Sequence, residues 1–177
     1  MKITLIAACT SRTGVIGKDG GIPWKLPSDL RFFKEYTKNK ICVMGRVTFQ
    51  SLPVFLVDRV SVVLTSKIDS VSERVEELKS KGKTPSPILV MENVDEFFNS
   101  LEEIVRQYDV NKDEIVIIGG ESVYKEFLPY SDKIVLSLVD CNVEGDRFFP
   151  AMNKLIWQES ELLRDVHEDR MIIHIQG

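Results

Sequence analysis

One acidic residue, Asp29, stands in apolar company at the start of a predicted helix. It follows a proline-marked turn, and its neighbours in the chain include Trp24, Leu30 and Phe33. Burying a carboxylate is costly unless a polar group meets it, and aspartate is seldom fully buried without a partner. A ligand with an N–H donor or a positive charge, bound in an apolar pocket, would be such a partner. The alternative is an ordinary first-turn acid that favours the helix dipole.

Two predicted strands end in glycine where a helix begins. Gly45 follows the apolar run 41–44, and Gly119-Gly120 follows the run 115–118. Glycine lets a ligand approach the backbone, and the free N–H groups of a following helix favour phosphate. Together the two junctions predict a pyrophosphate site. Neither has the GxGxxG or P-loop pattern, so ordinary strand-to-helix turns remain the alternative.

A set of polar residues follows two strands that would be neighbours in a sheet: Arg46, Thr65, Ser66 and Lys67. A guanidinium and hydroxyls suit a phosphate monoester such as the 2′-phosphate of NADP. The alternative is a group of solvated loop residues.

Composition argues against several classes of protein. The net charge is −4, whereas a general nucleic-acid binder needs an excess of Lys and Arg for the phosphates. The two histidines, His167 and His174, both lie near the C-terminus, and no Ser/His/Asp set or metal-ligand cluster is evident. No apolar stretch reaches the roughly 18 residues of a membrane span. We therefore expect no metal, nucleic-acid or membrane partner.

The cysteines indicate the compartment. Cys9, Cys42 and Cys141 are odd in number and far apart in the chain, and no CxxC occurs. Cys9 and Cys42 sit in apolar runs, which favours buried free thiols at these two positions. Free thiols are typical of a reducing compartment, so we expect a cytoplasmic protein. The length of 177 residues indicates one domain.

Strand and helix signals alternate along most of the chain. Apolar runs predict strands near residues 2–9, 41–44, 60–64, 88–90, 115–118, 132–141, 156–163 and 170–175. Caps and apolar stripes predict helices over 27–38, 45–52, 94–108 and 121–127, with Asn93 as one cap. A glycine-rich loop over 10–26 and a polar loop with at most a helical turn over 66–87 complete the pattern. This order predicts an α/β fold with a mostly parallel sheet of about eight strands, an antiparallel C-terminal edge and about four flanking helices.

Short motifs along nearly the whole chain resemble the dihydrofolate reductase family. They are the segments 6–8, 15–17, 23–30 (PWKLPSDL), 43–49 (VMGRVTF), 118–120, 123–124, 127–129 and 144–150. They occur in the order of that family and at compatible spacings. The resemblance implies a single domain over 1–177, with an adenosine-binding subdomain at about 40–112 and a loop subdomain in the remainder. It implies reduction of 7,8-dihydrofolate with NADPH in support of one-carbon metabolism and thymidylate synthesis, susceptibility to antifolate inhibitors, and a monomer.

The resemblance also assigns site residues. It places four in the catalytic centre: Asp29, Trp24, Ser137 and Tyr124. It places ten at the substrate: Ile6, Ala7, Asp29, Leu30, Phe33, Lys34, Leu52, Arg59, Ile118 and Ser137. It places eighteen at the cofactor: Ala8, Ile16, Gly17, Ile22, Gly45, Arg46, Val47, Thr48, Leu64, Thr65, Ser66, Ile118, Gly119, Gly120, Glu121, Ser122, Val123 and Tyr124.

Within these sets the resemblance gives some residues particular roles. Asp29 would bind the pterin ring N–H and amino group, and Arg59 the glutamate α-carboxylate. Residues 16–24 match a mobile loop over the nicotinamide, Gly145 and Asp146 match a loop that supports it, and the Gly119-Gly120 peptide is cis in the family.

Four positions depart from the family pattern. Val57-Asp58 replaces a frequent Pro-Gly, Glu121 a third glycine, Ser137 a threonine, and Ile22 a methionine or leucine. They bear on affinity and inhibitor sensitivity rather than on the type of reaction.

Two rival functions stay open at this point. One is the related pyrimidine reductase of riboflavin synthesis, and the other is a catalytically silent nucleotide-binding or scaffold protein. Asp29 with Trp24 argues against the first, and the intact glycine pairs disfavour the second.

Overall fold

The strands of the protein follow the apolar runs of its sequence. The structure, a computed structural model, describes residues 1–152 and, beyond them, only the backbone of 158–165 and 170–176. The strands are β1 (Lys2–Thr10), β2 (Val15–Gly17), β3 (Ile41–Gly45), β4 (Val60–Leu64), β5 (Ile88–Met91), β6 (Glu114–Gly119), β7 (Lys133–Val139), β8 (Arg147–Phe148), β9 (Gln158–Asp165) and β10 (Arg170–Gln176). Residues 156–157 of the predicted strand 156–163, and His167, lie outside the described residues.

Eight of these strands form one sheet in the order β5-β4-β3-β6-β1-β7-β10-β9. The pairs from β5 to β7 are parallel, whereas β10 pairs antiparallel with both β7 and β9. The predicted fold class, with its antiparallel C-terminal edge, is confirmed. A second sheet joins β2 and β8, which the sequence did not predict.

The helices are α1 (Pro27–Thr37), α2 (Arg46–Ser51), α3 (Ile68–Ser80), α4 (Val94–Gln107) and α5 (Glu121–Phe127), followed by a 3-10 turn at Leu128–Tyr130. Pro27 occupies the first turn of α1, where the missing N–H does no harm. The Asn93 side chain accepts a hydrogen bond from the Glu96 N–H at 2.9 Å, so the predicted cap of α4 is confirmed. Within the described residues no helix is long and apolar enough to cross a membrane.

The central sheet is covered on both faces, which explains its nearly continuous apolar strands. One face packs on α4 and α5 through Phe97, Ile104 and Phe127. The other face packs on α1, α2 and α3, where Phe49 and Val71 are buried.

Helix α3 corrects the prediction of a polar loop over 66–87. Val71 and Leu78 are buried and Val75 is half-buried, at the spacing of one helix face. Most of its other side chains are charged or polar, and several form ion pairs, such as Glu77 with Lys81 just beyond the helix at 2.5 Å. The apolar stripe of α3 is narrow and most of its neighbours are polar. The sequence pattern therefore did not indicate a helix.

A charged network ties the amino ends of three strands together. Glu114 of β6 accepts hydrogen bonds from Thr4 Oγ1 at 2.6 Å and from the Tyr36 hydroxyl at 2.8 Å. Its other oxygen lies 2.7 Å from Lys40 Nζ, just before β3. Burial alone raises the pKa of Glu114, but the bonds from Lys40, Thr4 and Tyr36 outweigh it, so the pKa is lowered.

This network predicts a loss of stability in acid. Because the pKa of Glu114 is lower in the folded than in the unfolded chain, its stabilisation is present above the unfolded value, about 4.3, and disappears as pH falls through the folded value. We expect Glu114→Gln to lower the free energy of unfolding by about 1–3 kcal/mol at neutral pH, and by less at pH 3. Denaturant titrations at both pH values measure this difference. Glu76→Gln is the control, since Glu76 pairs with Lys79 on an exposed surface. Equal losses for Glu114→Gln at the two pH values would contradict the assignment.

Candidate active site

A cleft of about 980 Å³ opens at the carboxyl ends of β1, β3, β4 and β6. Ligands of α/β sheets characteristically bind at this edge, and the volume suits a large ligand or two ligands side by side. Most residues predicted to contact substrate or cofactor line it: Ile6, Ala7, Ala8, Ile16, Gly17, Ile22, Asp29, Leu30, Phe33, Gly45, Arg46, Val47, Thr48, Leu52, Leu64, Ile118, Gly120, Glu121, Ser122, Val123, Tyr124 and Ser137. The topology thus brings 22 predicted positions, drawn from both halves of the chain, to one cleft.

Asp29 is the acid of the apolar part of the cleft. It sits in the first turn of α1 and is half-buried. Ile6 and Ala7 from β1, and Phe33 one turn further along α1, line the same cleft. A carboxylate in these surroundings is only partly hydrated, and its charge therefore acts more strongly on a bound ligand than it would in water.

Tyr124 of α5 closes the cleft beside β1. Its hydroxyl donates to the Ile6 carbonyl at 2.7 Å, and the side chain is buried. Burial raises the pKa of Tyr124, and electrostatic repulsion of the phenolate by Cys9 and Asp29 raises it further. The phenol therefore stays protonated and acts as a fixed donor.

The two glycine junctions face each other across the cofactor side of the cleft. A Cβ on Gly45 would lie 3.1 Å from Val123 Cγ2, and a Cβ on Gly120 would lie 3.3 Å from Thr48 Oγ1. A side chain at either place has little room, so bare backbone faces the cleft. The Gly119-Gly120 peptide is cis, as the resemblance predicted.

The glycine-rich loop covers the cleft and is held by the segment around Gly145. Gly17 and Ile22 of this loop line the cleft. The Asp146 N–H donates to the Gly17 carbonyl at 3.1 Å, and the Asp19 N–H donates to the Asp146 carboxylate at 3.2 Å. A Cβ on Gly145 would lie 2.2 Å from Val15 Cγ1, which shows how closely the two segments approach.

Exposed apolar side chains mark the places where a ligand would sit. Ile22, Leu30 and Val47 are 60%, 59% and 55% exposed, and all three line the cleft. Large apolar side chains that border one concave surface are typical of a ligand site.

Arg59, predicted to bind a carboxylate, does not line the cleft but lies behind it, 6% exposed. Its Nε donates to Thr37 Oγ1 at 2.9 Å, and its two terminal nitrogens donate to the carbonyls of Val57 and Lys34. These bonds use three of the five N–H groups of a guanidinium, so each terminal nitrogen keeps another N–H. The side chain is buried, so Arg59 is not a solvated loop charge.

Five further predicted residues also lie outside the cleft lining: Trp24, Lys34, Thr65, Ser66 and Gly119. The Thr65 hydroxyl accepts a hydrogen bond from the Lys67 N–H at 3.0 Å, and this bond stabilises the local turn. Gly119 is buried beneath Tyr124, whose ring would lie 3.2 Å from a Cβ.

Beyond the assigned residues, the cleft contains Lys18, Gly20 and Gly21, which belong to the loop 16–24 that was predicted to close over it. It also contains seven residues that the sequence did not predict: Phe32, Ser51, Glu92, Asn93, Lys125, Glu126 and Arg147. Several of these residues lie on a helix that already contributes a predicted site residue. Ser51 is on the same helix as Thr48, and Lys125 is one turn after Glu121. Arg147 had no local signal, because β8 approaches the cleft only through its pairing with β2.

The residues present fit a dinucleotide. Bare backbone at Gly45 and Gly120 leaves room for a pyrophosphate, and Arg46 supplies a cation on the β3 side of the cleft. In the part of the chain that the structure describes, no group of three or more His, Cys, Asp or Glu residues is placed to hold a metal ion.

Comparison with known proteins gives one consistent result. The family model described as dihydrofolate reductase matches residues 2–172. The dihydrofolate reductase of Haemophilus influenzae is 34% identical over 162 residues, which cover 92% of this chain and 85% of that protein. Dihydrofolate reductase type 3 of Salmonella typhimurium is 37% identical over 161 residues, 91% of this chain and 86% of that protein. A solved structure of dihydrofolate reductase from Enterococcus faecalis, complexed with NADP(H) and RAB-propyl, is 31% identical with a TM-score of 0.71, covering 99% of this chain and 95% of that one.

Proposed function

The chain belongs to the dihydrofolate reductase family, and on this premise we propose that it reduces 7,8-dihydrofolate to 5,6,7,8-tetrahydrofolate. Family membership makes it an oxidoreductase with NADPH as its cofactor. The choice of substrate rests on the position of Asp29, whose half-buried carboxylate lines the cleft near apolar side chains. A pterin presents an N–H and an amino group side by side, and a carboxylate accepts from both.

Asp29 stabilises the cationic pterin in this proposal. The nicotinamide supplies the hydride when NADPH is bound. Asp29 holds the pterin through its ring N–H and amino group, and its charge favours the protonated ring electrostatically. Ser137 supports the acid through its hydroxyl, and a water beneath the glycine-rich loop delivers the proton.

Apolar residues align the two reactants and exclude water. All five residues concerned line the cleft: Ile6, Phe33, Leu52, Ile118 and Tyr124. In this proposal the first three contact the pterin, and the last two lie between substrate and cofactor. Holding the reacting carbons in register is the main physical contribution of such a site. Residues 16–24 form the lid, and Trp24 is its hinge end.

Arg59 binds the glutamate tail in this proposal. Its guanidinium is fixed by the three bonds to Thr37, Val57 and Lys34, and the remaining N–H groups are offered to an α-carboxylate. Asp58, with a positive φ of 61°, stands beside it and weakens this contact through its charge.

Membership of the family also supports proposals about subdomains, oligomeric state, compartment and inhibitors. Residues at about 40–112 form an adenosine-binding subdomain and the remainder a loop subdomain. The protein is a cytoplasmic monomer that supports one-carbon metabolism and binds antifolate inhibitors. The free thiols of Cys9 and Cys42, both buried, support a reducing compartment.

One assay separates this function from its two rivals. Purified protein is mixed with NADPH and either 7,8-dihydrofolate or the pyrimidine substrate of riboflavin synthesis, and NADPH oxidation is followed by absorbance. We expect oxidation with dihydrofolate alone. Oxidation with the pyrimidine would identify the related reductase, and oxidation with neither would indicate a silent binding protein.

A further inference from the structure

Helix α3 touches the cofactor side of the cleft through a short relay of side chains. Arg46 Nη1 donates to Gln50 Oε1 at 2.8 Å, and Gln50 Nε2 donates to Ser70 Oγ at 2.5 Å. Arg46 lines the cleft, whereas Gln50 and Ser70 lie behind it, between α2 and α3. The relay thus links the first turn of α3 to a cation of the cleft.

Arg46 differs from Lys125, another cation of the cleft, in the charge of its partner. Lys125 forms an ion pair with Glu121 at 2.6 Å, and Lys18 and Arg147 belong to the loop and its supporting strand. Arg46 is bonded instead to a neutral amide. The hydrogen bond to Gln50 fixes the guanidinium of Arg46 without neutralising its charge. This bond uses one of the five N–H groups of the guanidinium.

Helix α3 is itself held firmly on α2. Val71 is buried in the same cluster as Phe49, and Arg74 Nη2 donates to the Leu52 carbonyl at 2.7 Å. The Ser70 hydroxyl oxygen, which accepts the hydrogen bond from Gln50, therefore has a fixed position. A flexible arginine loses less conformational entropy on binding an anion when its direction is already set.

We propose that Gln50 and Ser70 are positioning residues that orient Arg46 toward the 2′-phosphate of NADPH, so that α3 contributes to the preference for NADPH over NADH. The proposal rests on the proposed function, because it assumes that NADPH occupies the cleft. It gives a role to the polar segment after Lys67, which carries α3.

Binding of two nucleotide fragments tests this proposal by calorimetry. The probes are 2′,5′-ADP, which carries the monoester, and 5′-AMP, which does not. We expect Gln50→Ala to weaken 2′,5′-ADP about three- to tenfold and Ser70→Ala about two- to fivefold, as for loss of one neutral hydrogen bond. Binding of 5′-AMP should stay unchanged. The ratio of kcat/KM for NADPH to that for NADH should fall by the same factors.

The chain offers matched controls. Ser72→Ala removes a hydroxyl from the same helix, where the Ser72 hydroxyl donates to the Ile68 carbonyl at 3.4 Å, and should leave the binding of both fragments unaffected. Ser70→Thr keeps the hydroxyl and should bind like the wild type. In an Arg46→Ala background, Gln50→Ala should have no further effect, since coupled residues are not additive.

Two results would overturn the proposal: unchanged 2′,5′-ADP binding in both variants, or equal weakening of 2′,5′-ADP and 5′-AMP. The second would show that the relay only supports the helices. Thermal unfolding of each variant checks the fold. Failure of the wild type to oxidise NADPH with dihydrofolate would instead reject the proposed function, so the two failures are distinguishable.

Discussion

Replacing Asp29 with asparagine should lower kcat for dihydrofolate about 10²- to 10³-fold at neutral pH, the usual cost of losing one electrostatic group aimed at the reacting centre. Asparagine keeps the size of the side chain and one carbonyl acceptor but removes the charge that is proposed to favour the protonated pterin. The fold should be intact, because Asp29 is only half-buried. Steady-state kinetics and thermal unfolding measure the two effects separately.

Asp69→Asn is the matched control for this variant. Asp69 is also a first-turn acid, on α3, and it is exposed and away from the cleft. If Asp29 served only the helix dipole, both variants would lose a little stability and neither would lose turnover. Near-normal kcat in Asp29→Asn would refute the catalytic role.

Replacing Gly145 with alanine should lower kcat about 10²-fold, the effect expected when a supporting segment moves the site by about 1 Å. The new Cβ would lie 2.2 Å from Val15 Cγ1 and 2.6 Å from the Gly17 carbonyl oxygen. Real carbon atoms do not approach so closely, so either β2 or the segment around Gly145 must shift. The shift should separate Asp146 from Gly17 and Asp19, so that the loop proposed as the lid loses these two hydrogen bonds.

Gly82→Ala distinguishes this effect from a general effect of removing glycine. Gly82 follows α3 with a φ of +70°, and a Cβ there would meet nothing within 4 Å. Alanine should cost stability through backbone strain and leave kcat as it is. Stopped-flow measurement of hydride transfer would show whether Gly145→Ala slows chemistry or lid motion. A kcat within twofold of the wild type would contradict the inferred support.

The sheet was predictable because its strands are buried on both faces. Residues 41–45 and 115–119 are apolar without interruption, and such runs have few alternatives to a central parallel strand. Helix α4 was predictable for a similar reason, since its apolar stripe is broad and Asn93 marks its start. Helix α3 was missed because it buries only Val71 and Leu78 completely.

The candidate site also has residues that could be predicted from the sequence and residues that could not. Residues that leave a strand or begin a helix, such as Gly45, Gly120 and Asp29, could be placed from the sequence because the topology brings strand ends together. Arg59 was assigned by resemblance, but its burial could not be foreseen, because it depends on carbonyls of Lys34 and Val57 that only the folded chain brings to it. The relay through Gln50 and Ser70 was equally hidden, since it requires α3 to dock on α2.

The place of β1 in the sheet has a consequence for the synthesis of the chain. Ile3 pairs with Ile115, and Ala8 pairs with Ser137. Strand β1 therefore leaves the ribosome long before either of its partners exists. During that interval an apolar strand with two unpaired edges is open to aggregation, and contacts this distant in sequence form slowly. Nascent fragments that stop before β6 should consequently be the forms of this enzyme most dependent on chaperones.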